Sequence, residues 1–213
     1  MRMKLIGQYD SPFVRRVAIA LRLHGLSYEH LPWSVFRDAE RIAAYNPLLR
    51  VPTLVLADGE VLTESHVIID YIERIADRSL WPSDPAEFVR ALRVTSLSTG
   101  SADKAVSLVY EELLHDHVSQ QWIDRCEAQI VAAVDRLEAE IEPAAGPRLF
   151  GDALGHADIA LACMFRFLGE AHADRFDFQR WPSLRRHSEL CESQPLFADV
   201  AQPFSVTLPS RTG

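Results

Sequence analysis

The sequence predicts two unlike parts: a mixed α/β domain over residues 1–81 and an all-α domain over residues 82–213. Three observations predict this division. Short β-branched or aliphatic runs alternate with helical spacing up to residue 75, with a hairpin signal among them. The prolines of Leu80-Trp81-Pro82-Ser83-Asp84-Pro85 then break both periodicities, and every later apolar pattern has helical spacing. Charge divides at the same place. Residues 1–81 hold ten Lys or Arg against ten Asp or Glu, whereas residues 82–213 hold twelve against twenty and so carry the whole net charge of −8.

Met3-Lys4-Leu5-Ile6-Gly7 is the first strand. Ser11-Pro12-Phe13 opens a helix with Val14, Val17, Ala18 and Leu21 on its apolar face. Ser11 suits the N-cap, and Pro12 suits the first helical position, where its missing N–H costs nothing. The helix runs to about His24, and Gly25 gives a natural stop. Ser27 to Trp33 can form a second strand, Phe36 to Tyr45 a short helical or irregular stretch, and Asn46-Pro47 punctuates it. Thr53-Leu54-Val55-Leu56 is the third strand, Asp58-Gly59 the turn, and Val61-Leu62-Thr63 the return. Ser65 can cap a helix whose apolar positions are Ile68, Ile69, Ile72 and Ile75. The order βαβ, connector, ββα is a thioredoxin-like arrangement. The fold class is therefore an α/β thioredoxin-like N-terminal domain plus an all-α helical C-terminal domain.

In the second domain, long helices are expected over residues 86–117 and 119–142, the latter with Ile130, Val134, Leu137 and Ile141 on one stripe. Pro143 to Pro147 ends it. Ile159, Leu161, Ala162, Phe165 and Leu168 mark a further helix, with shorter ones near 183–193 and 195–201. In Gly151-Asp152-x-x-Gly155-x-Ala157-Asp158-Ile159, Asp158 sits at the third helical position, able to reach back to the cap backbone, while Leu154 and Ile159 can form a hydrophobic staple. Gly155 offers no side-chain oxygen, so Asp158 must cap alone or help must come from elsewhere. This motif serves folding and not catalysis.

With 213 residues, 48% hydrophobic and 24% charged, the chain has ample material for a core. A run of about 18 apolar residues, which a membrane helix needs, does not occur. Met1-Arg2-Met3-Lys4 leads into no long apolar stretch with a small-residue cleavage site, so no secretory signal is expected, and the acidic balance disfavours nucleic acid. Cys126, Cys163 and Cys191 are sparse, odd in number and without a Cys-x-x-Cys, which fits reduced thiols in a cytoplasmic protein.

Chemistry concentrates in the first domain. A hydroxyl at Ser11 would stand beside unpaired backbone N–H groups and the positive end of a helix, where an anion such as a thiolate is favoured. Arg15 and Arg16 would add to that field. No cysteine lies in residues 1–81, so no thiol nucleophile is available there. Tyr9, two residues earlier, is the competing hydroxyl. A cis bond at Val51-Pro52 would turn the Val51 backbone toward the Ser11 cap, while an ordinary trans proline would merely begin a strand. Glu64-Ser65 could hold a carboxylate with hydroxyl and N–H donors and an ammonium with the Glu64 carboxylate, or be a plain cap. Elsewhere, His115-Asp116-His117 places its imidazoles at i and i+2, which point apart on a helix, so no metal is expected. His66 either approaches the ligand or sits exposed in the first turn. Tyr110 and Trp122 either line a pocket or pack between domains.

Taken in order, Ser11-Pro12-Phe13-x-x-Arg16-Val17, Asn46-Pro47-x-x-x-Val51-Pro52-Thr53-Leu54 and Glu64-Ser65-x-x-Ile68-x-x-Tyr71-Ile72 resemble the cytosolic glutathione transferases. The serine-type classes, tau-like plant and bacterial members, are the nearest in flavour. The resemblance implies glutathione as co-substrate without a metal, and conjugation of its thiolate to a small hydrophobic electrophile. It implies that Ser11 donates a hydrogen bond to the sulfur and that Phe13 borders the electrophile pocket. Val51, before a cis Pro52, would pair its backbone with the cysteinyl moiety, and Glu64 and Ser65 would bind the γ-glutamyl amine and carboxylate. Arg50 would approach the glycyl carboxylate or remain a surface arginine. A homodimer, and a helical domain contributing to the electrophile pocket, also follow from the resemblance. A transferase-like binding or regulatory module without turnover is the alternative. A glutathione-dependent reductase or lyase would need a cysteine at position 11, which is absent.

Overall fold

Alternation of apolar residues along the first 63 positions builds a four-stranded mixed sheet in the computed structural model, which describes residues 2–141, 148–150 and 153–206. Its strands are β1 (Met3–Ile6), β2 (Tyr28–Leu31), β3 (Thr53–Val55) and β4 (Val61–Thr63), in the order β2-β1-β3-β4. β1 runs parallel to β2 and antiparallel to β3, and β3 pairs antiparallel with β4 through the hairpin at Asp58-Gly59. Between β1 and β2 lies α1 (Pro12–Leu23); α2 (Ala39–Ala43) precedes β3, and α3 (Ser65–Ile75) follows β4. Leu5, Ile6, Val14, Val17, Leu21, Leu54, Ile68 and Ile72 are fully buried and form the core of this thioredoxin-like unit. Ile75, counted by its spacing with the apolar face, is 43% exposed because it is the last residue of α3.

The helical unit contains α4 (Pro85–Leu114), α5 (Gln120–Ile141), α6 (His156–Ala171) and α7 (Pro182–Glu192). α4 stops three residues short of the expected position, where His115 turns extended (φ −109°, ψ 129°). Ile130, Val134, Leu137 and Ile141 are buried along α5, as their spacing predicts. The three cysteines are buried, and none is in a disulfide among the described residues. Pro143 to Pro147 and Gly151-Asp152 lie outside the described residues.

Leu80–Gln194 forms one compact unit; Met1–Ser79 forms the other together with the chain from Pro195 onward. Position in the sequence had placed that last stretch with the helices. Its owner is decided by Arg15. This guanidinium, 2% exposed, donates to the carbonyls of Phe197 (2.9 Å) and Val200 (3.1 Å) and lies 5.7 Å from the Phe197 ring. The short α8 (Pro195–Ala198) is thereby fastened to α1.

The cap of α6 answers the question that Gly155 raises. Asp158 Oδ2 accepts the Gly155 N–H at 2.9 Å, and its Oδ1 accepts from Leu149 N–H at 2.8 Å and stands 3.0 Å from His187 Nε2. The main chain of the connector takes a different amide of this helix start, since the Leu80 carbonyl accepts from His156 N–H at 3.4 Å. A Cβ on residue 155 would lie 2.7 Å from that carbonyl oxygen. Glycine is required by this approach.

Candidate active site

Strand pairing gathers the candidate residues at one end of the sheet. Ile6, the last residue of β1, faces Thr53, the first of β3, which faces Thr63, the last of β4. The loop before Ser11, the Val51-Pro52 bond and Glu64-Ser65 therefore emerge side by side. Val51-Pro52 is cis. Gly7 (φ +128°) is in close contact with that segment: a Cβ there would stand 2.5 Å from Val14 Cγ2 and 2.8 Å from Val51 Cβ. Asn46, 1% exposed, shapes the intervening turn by donating to the Arg50 carbonyl (2.8 Å) and lying 3.1 Å from Thr53 Oγ1.

Ser11 is the N-cap of α1, in extended conformation (φ −69°, ψ 123°), and its Oγ accepts from Val14 N–H at 3.4 Å. Because the hydroxyl acts there as acceptor, its proton remains to be donated to an anion at the helix end. Phe13 is half-buried at the second helical position, and Pro12 is buried at the first.

Tyr9 turns elsewhere. Its hydroxyl lies 2.8 Å from the Tyr28 hydroxyl, and its ring stacks on His30 at 3.8 Å. Burial, and then the bond to Tyr28, push its phenol well above the usual tyrosine range, so it stays protonated. His30 Nε2 is 2.8 Å from the Gly7 carbonyl, and burial lowers the pKa of this imidazole, which holds it neutral.

Glu64, and not Ser65, occupies the N-cap of α3, with φ +67° and ψ 125° and no side-chain capping bond. Ser65 is the first helical residue, 2% exposed, and its hydroxyl accepts from Arg16 Nη1 at 3.3 Å. The expected cap at Ser65 is thus corrected by one position: Glu64 takes the non-helical cap conformation, and Ser65 already lies inside the helix with its hydroxyl turned to the Arg16 guanidinium. A non-glycine residue held at positive φ is strained, and such strain persists where the surroundings dictate the conformation. Arg16, which sequence reasoning credited only to the Ser11 helix end, joins α1 to the start of α3. Arg15, credited with the same field, is directed instead to the Phe197 and Val200 carbonyls. The signal for Arg16 was present in its helical spacing from Ser11, but its partner lies 49 residues away.

Arg50 and Glu64 form an ion pair with each other at 3.1 Å, both groups about half exposed (58% and 45%). A pair so solvated is weak and readily exchanged for a ligand's charges. The site can thus present a hydroxyl donor at a helix end for a thiolate, a backbone beside a cis proline for an extended peptide, and a Ser65–Arg16 corner for a carboxylate.

The model of the glutathione S-transferase N-terminal domain matches residues 5–80, and that of the C-terminal domain matches residues 120–190. A maleylacetoacetate isomerase of Pseudomonas aeruginosa is 35% identical over 208 residues, spanning 92% of this chain and 93% of its own. A glutathione S-transferase from Methylobacterium radiotolerans, solved with glutathione sulfonate, superposes with a TM-score of 0.89 at 28% identity over 100% of both chains. One from Methylobacillus flagellatus with glutathione bound gives 0.84 at 27% identity, covering 93% of this chain and 98% of that one.

Proposed function

Because this chain belongs to the glutathione S-transferase family, we propose that Ser11 holds glutathione as its thiolate for attack on a small hydrophobic electrophile. The reading is carried by the Ser11 hydroxyl at the α1 cap: Oγ accepts from Val14 N–H and keeps its own proton for the sulfur. A free thiol of pKa about 8.5 is mostly protonated at neutral pH, so a donor and a positive helix end increase the reactive fraction. The thiolate then forms a C–S bond to the electrophilic carbon as the leaving group departs with its electron pair. Binding beside the cis Val51-Pro52 bond orients the cysteinyl backbone, with Phe13 bordering the electrophile. The γ-glutamyl carboxylate is taken at Ser65, next to Arg16, and its ammonium at Glu64; Arg50 is released to the glycyl carboxylate.

The likeness to an isomerase favours a second reading of the same thiolate. Added to an electron-poor double bond conjugated with a carbonyl, the sulfur would send an electron pair to the carbonyl oxygen. After rotation about the resulting single bond, collapse of the enolate would expel the thiolate unchanged. A homodimer is supported by Val89 and Leu92, exposed on α4 (59% and 42%). A cytoplasmic location is supported by the three reduced, buried thiols.

Turnover of glutathione with an aryl halide tests the first reading. Wild-type protein is expected to form conjugate and Ser11→Ala to lose most of that activity while still binding glutathione. Equal rates in both would remove Ser11 from the mechanism. Isomerisation of a cis-enone with no net consumption of glutathione would favour the second.

A further inference from the structure

Tyr9 N–H donates to Gln202 Oε1 at 3.1 Å, across 193 residues of sequence. We propose that Gln202 is a positioning residue for the Ser11 hydroxyl, which rests on the reading of Ser11 as the group that binds the thiolate. The loop from Gly7 to Ser11 carries that hydroxyl between β1 and α1. Ser11 N–H donates to the Gln8 carbonyl at 3.2 Å, so residues 8–11 move as one turn. One side of the turn is held by His30 on the Gly7 carbonyl and by the stack of His30 on Tyr9. Gln202 holds the other.

The segment bearing Gln202 is itself firmly attached. Arg15 binds the carbonyls of Phe197 and Val200, and Arg22 pairs with Asp199 at 2.9 Å. A second contact follows three residues later, where Ser205 N–H approaches Asp10 Oδ2 at 3.4 Å. Arg15 lies one helical turn after Ser11, so the same helix start both bears the site and anchors the segment that braces it. Removing the Gln202 acceptor leaves the Tyr9 amide without this bond and lets the turn before Ser11 shift. A misplaced donor weakens thiolate stabilisation, while contacts at Glu64 and Ser65, on another element, are left in place.

The test compares wild type, Gln202→Met, Gln202→Glu and Ser11→Ala with glutathione and an aryl halide. Gln202→Met, of similar size but lacking the acceptor, is expected to lower kcat about fivefold, the scale of one neutral hydrogen bond. The thiol pKa of bound glutathione should rise with it, while KM for glutathione stays within about twofold, since the γ-glutamyl corner is untouched. Gln202→Glu keeps an acceptor and is expected to restore kcat. An unchanged kcat and thiol pKa in Gln202→Met, or a failure of Gln202→Glu to restore kcat, would overturn the proposal. So would a joint loss of kcat, glutathione affinity and melting temperature, which marks general damage. If Ser11→Ala alone leaves kcat and thiol pKa unaltered, the Ser11 reading fails, and the two failures are thereby distinguished.

Discussion

The hydroxyls of Tyr9 and Tyr28 lie 2.8 Å apart, which commits Tyr9 to the β2 side of its loop, with its ring stacked on His30. Two residues later Ser11 stands at the helix cap, where its hydroxyl accepts from Val14 N–H and donates to no partner among the described residues. On the proposed reading, the choice between these neighbouring hydroxyls follows from where each is already bonded. Tyr9→Phe is expected to keep kcat with the aryl halide within about twofold of wild type while lowering stability by about 1 kcal/mol, one hydrogen bond. Steady-state kinetics and a denaturant titration check it; a large loss of kcat with Tyr9→Phe would return the role to the tyrosine.

Arg16 places a guanidinium against the Ser65 hydroxyl. Arg16→Met is expected to raise KM for glutathione about tenfold or more, the scale of a hydrogen bond to a charged group. Cysteinylglycine lacks the γ-glutamyl carboxylate, so its KM should change little. Comparing the two thiols in the variant separates loss of a carboxylate site from general damage, which would weaken both.

Much of this was legible in the sequence for a local reason. Ser11, Pro12, the Asp58-Gly59 turn and the apolar stripes each report on neighbours within about one turn or one hairpin. The cap of α3 was misplaced by one residue because Glu64 takes a positive φ that its side chain gives no hint of. Arg15, Arg16 and Gln202 were illegible for a different reason. Their partners are 182 and 185, 49 and 193 residues distant, and a guanidinium in a helix reads the same whether it faces water or a buried carbonyl. Gly155 lay between these cases. The pattern showed a cap without a side-chain oxygen, and only the structure shows the Leu80 carbonyl packed so closely on residue 155.

That close approach has a measurable consequence. Gly155→Ala puts a Cβ 2.7 Å from the Leu80 oxygen and is expected to cost about 1–3 kcal/mol, as overpacking does. Gly155→Ser should destabilise as well, although serine is the better cap on an isolated helix. Chemical denaturation of both variants checks this; a more stable Gly155→Ser protein would contradict the account of the cap.

The pH dependence of glutathione bound to the protein bears most directly on Ser11. Ultraviolet absorbance of the thiolate, titrated in wild type and in Ser11→Ala, gives the thiol pKa in each. A hydrogen bond from Ser11 favours the charged form and so lowers that pKa; its removal must raise it. The expected result is a wild-type value below the free thiol's, about 8.5, with Ser11→Ala higher by about one unit, equivalent to 1.4 kcal/mol. The same pKa in both proteins would contradict the assignment of the thiolate to the Ser11 hydroxyl.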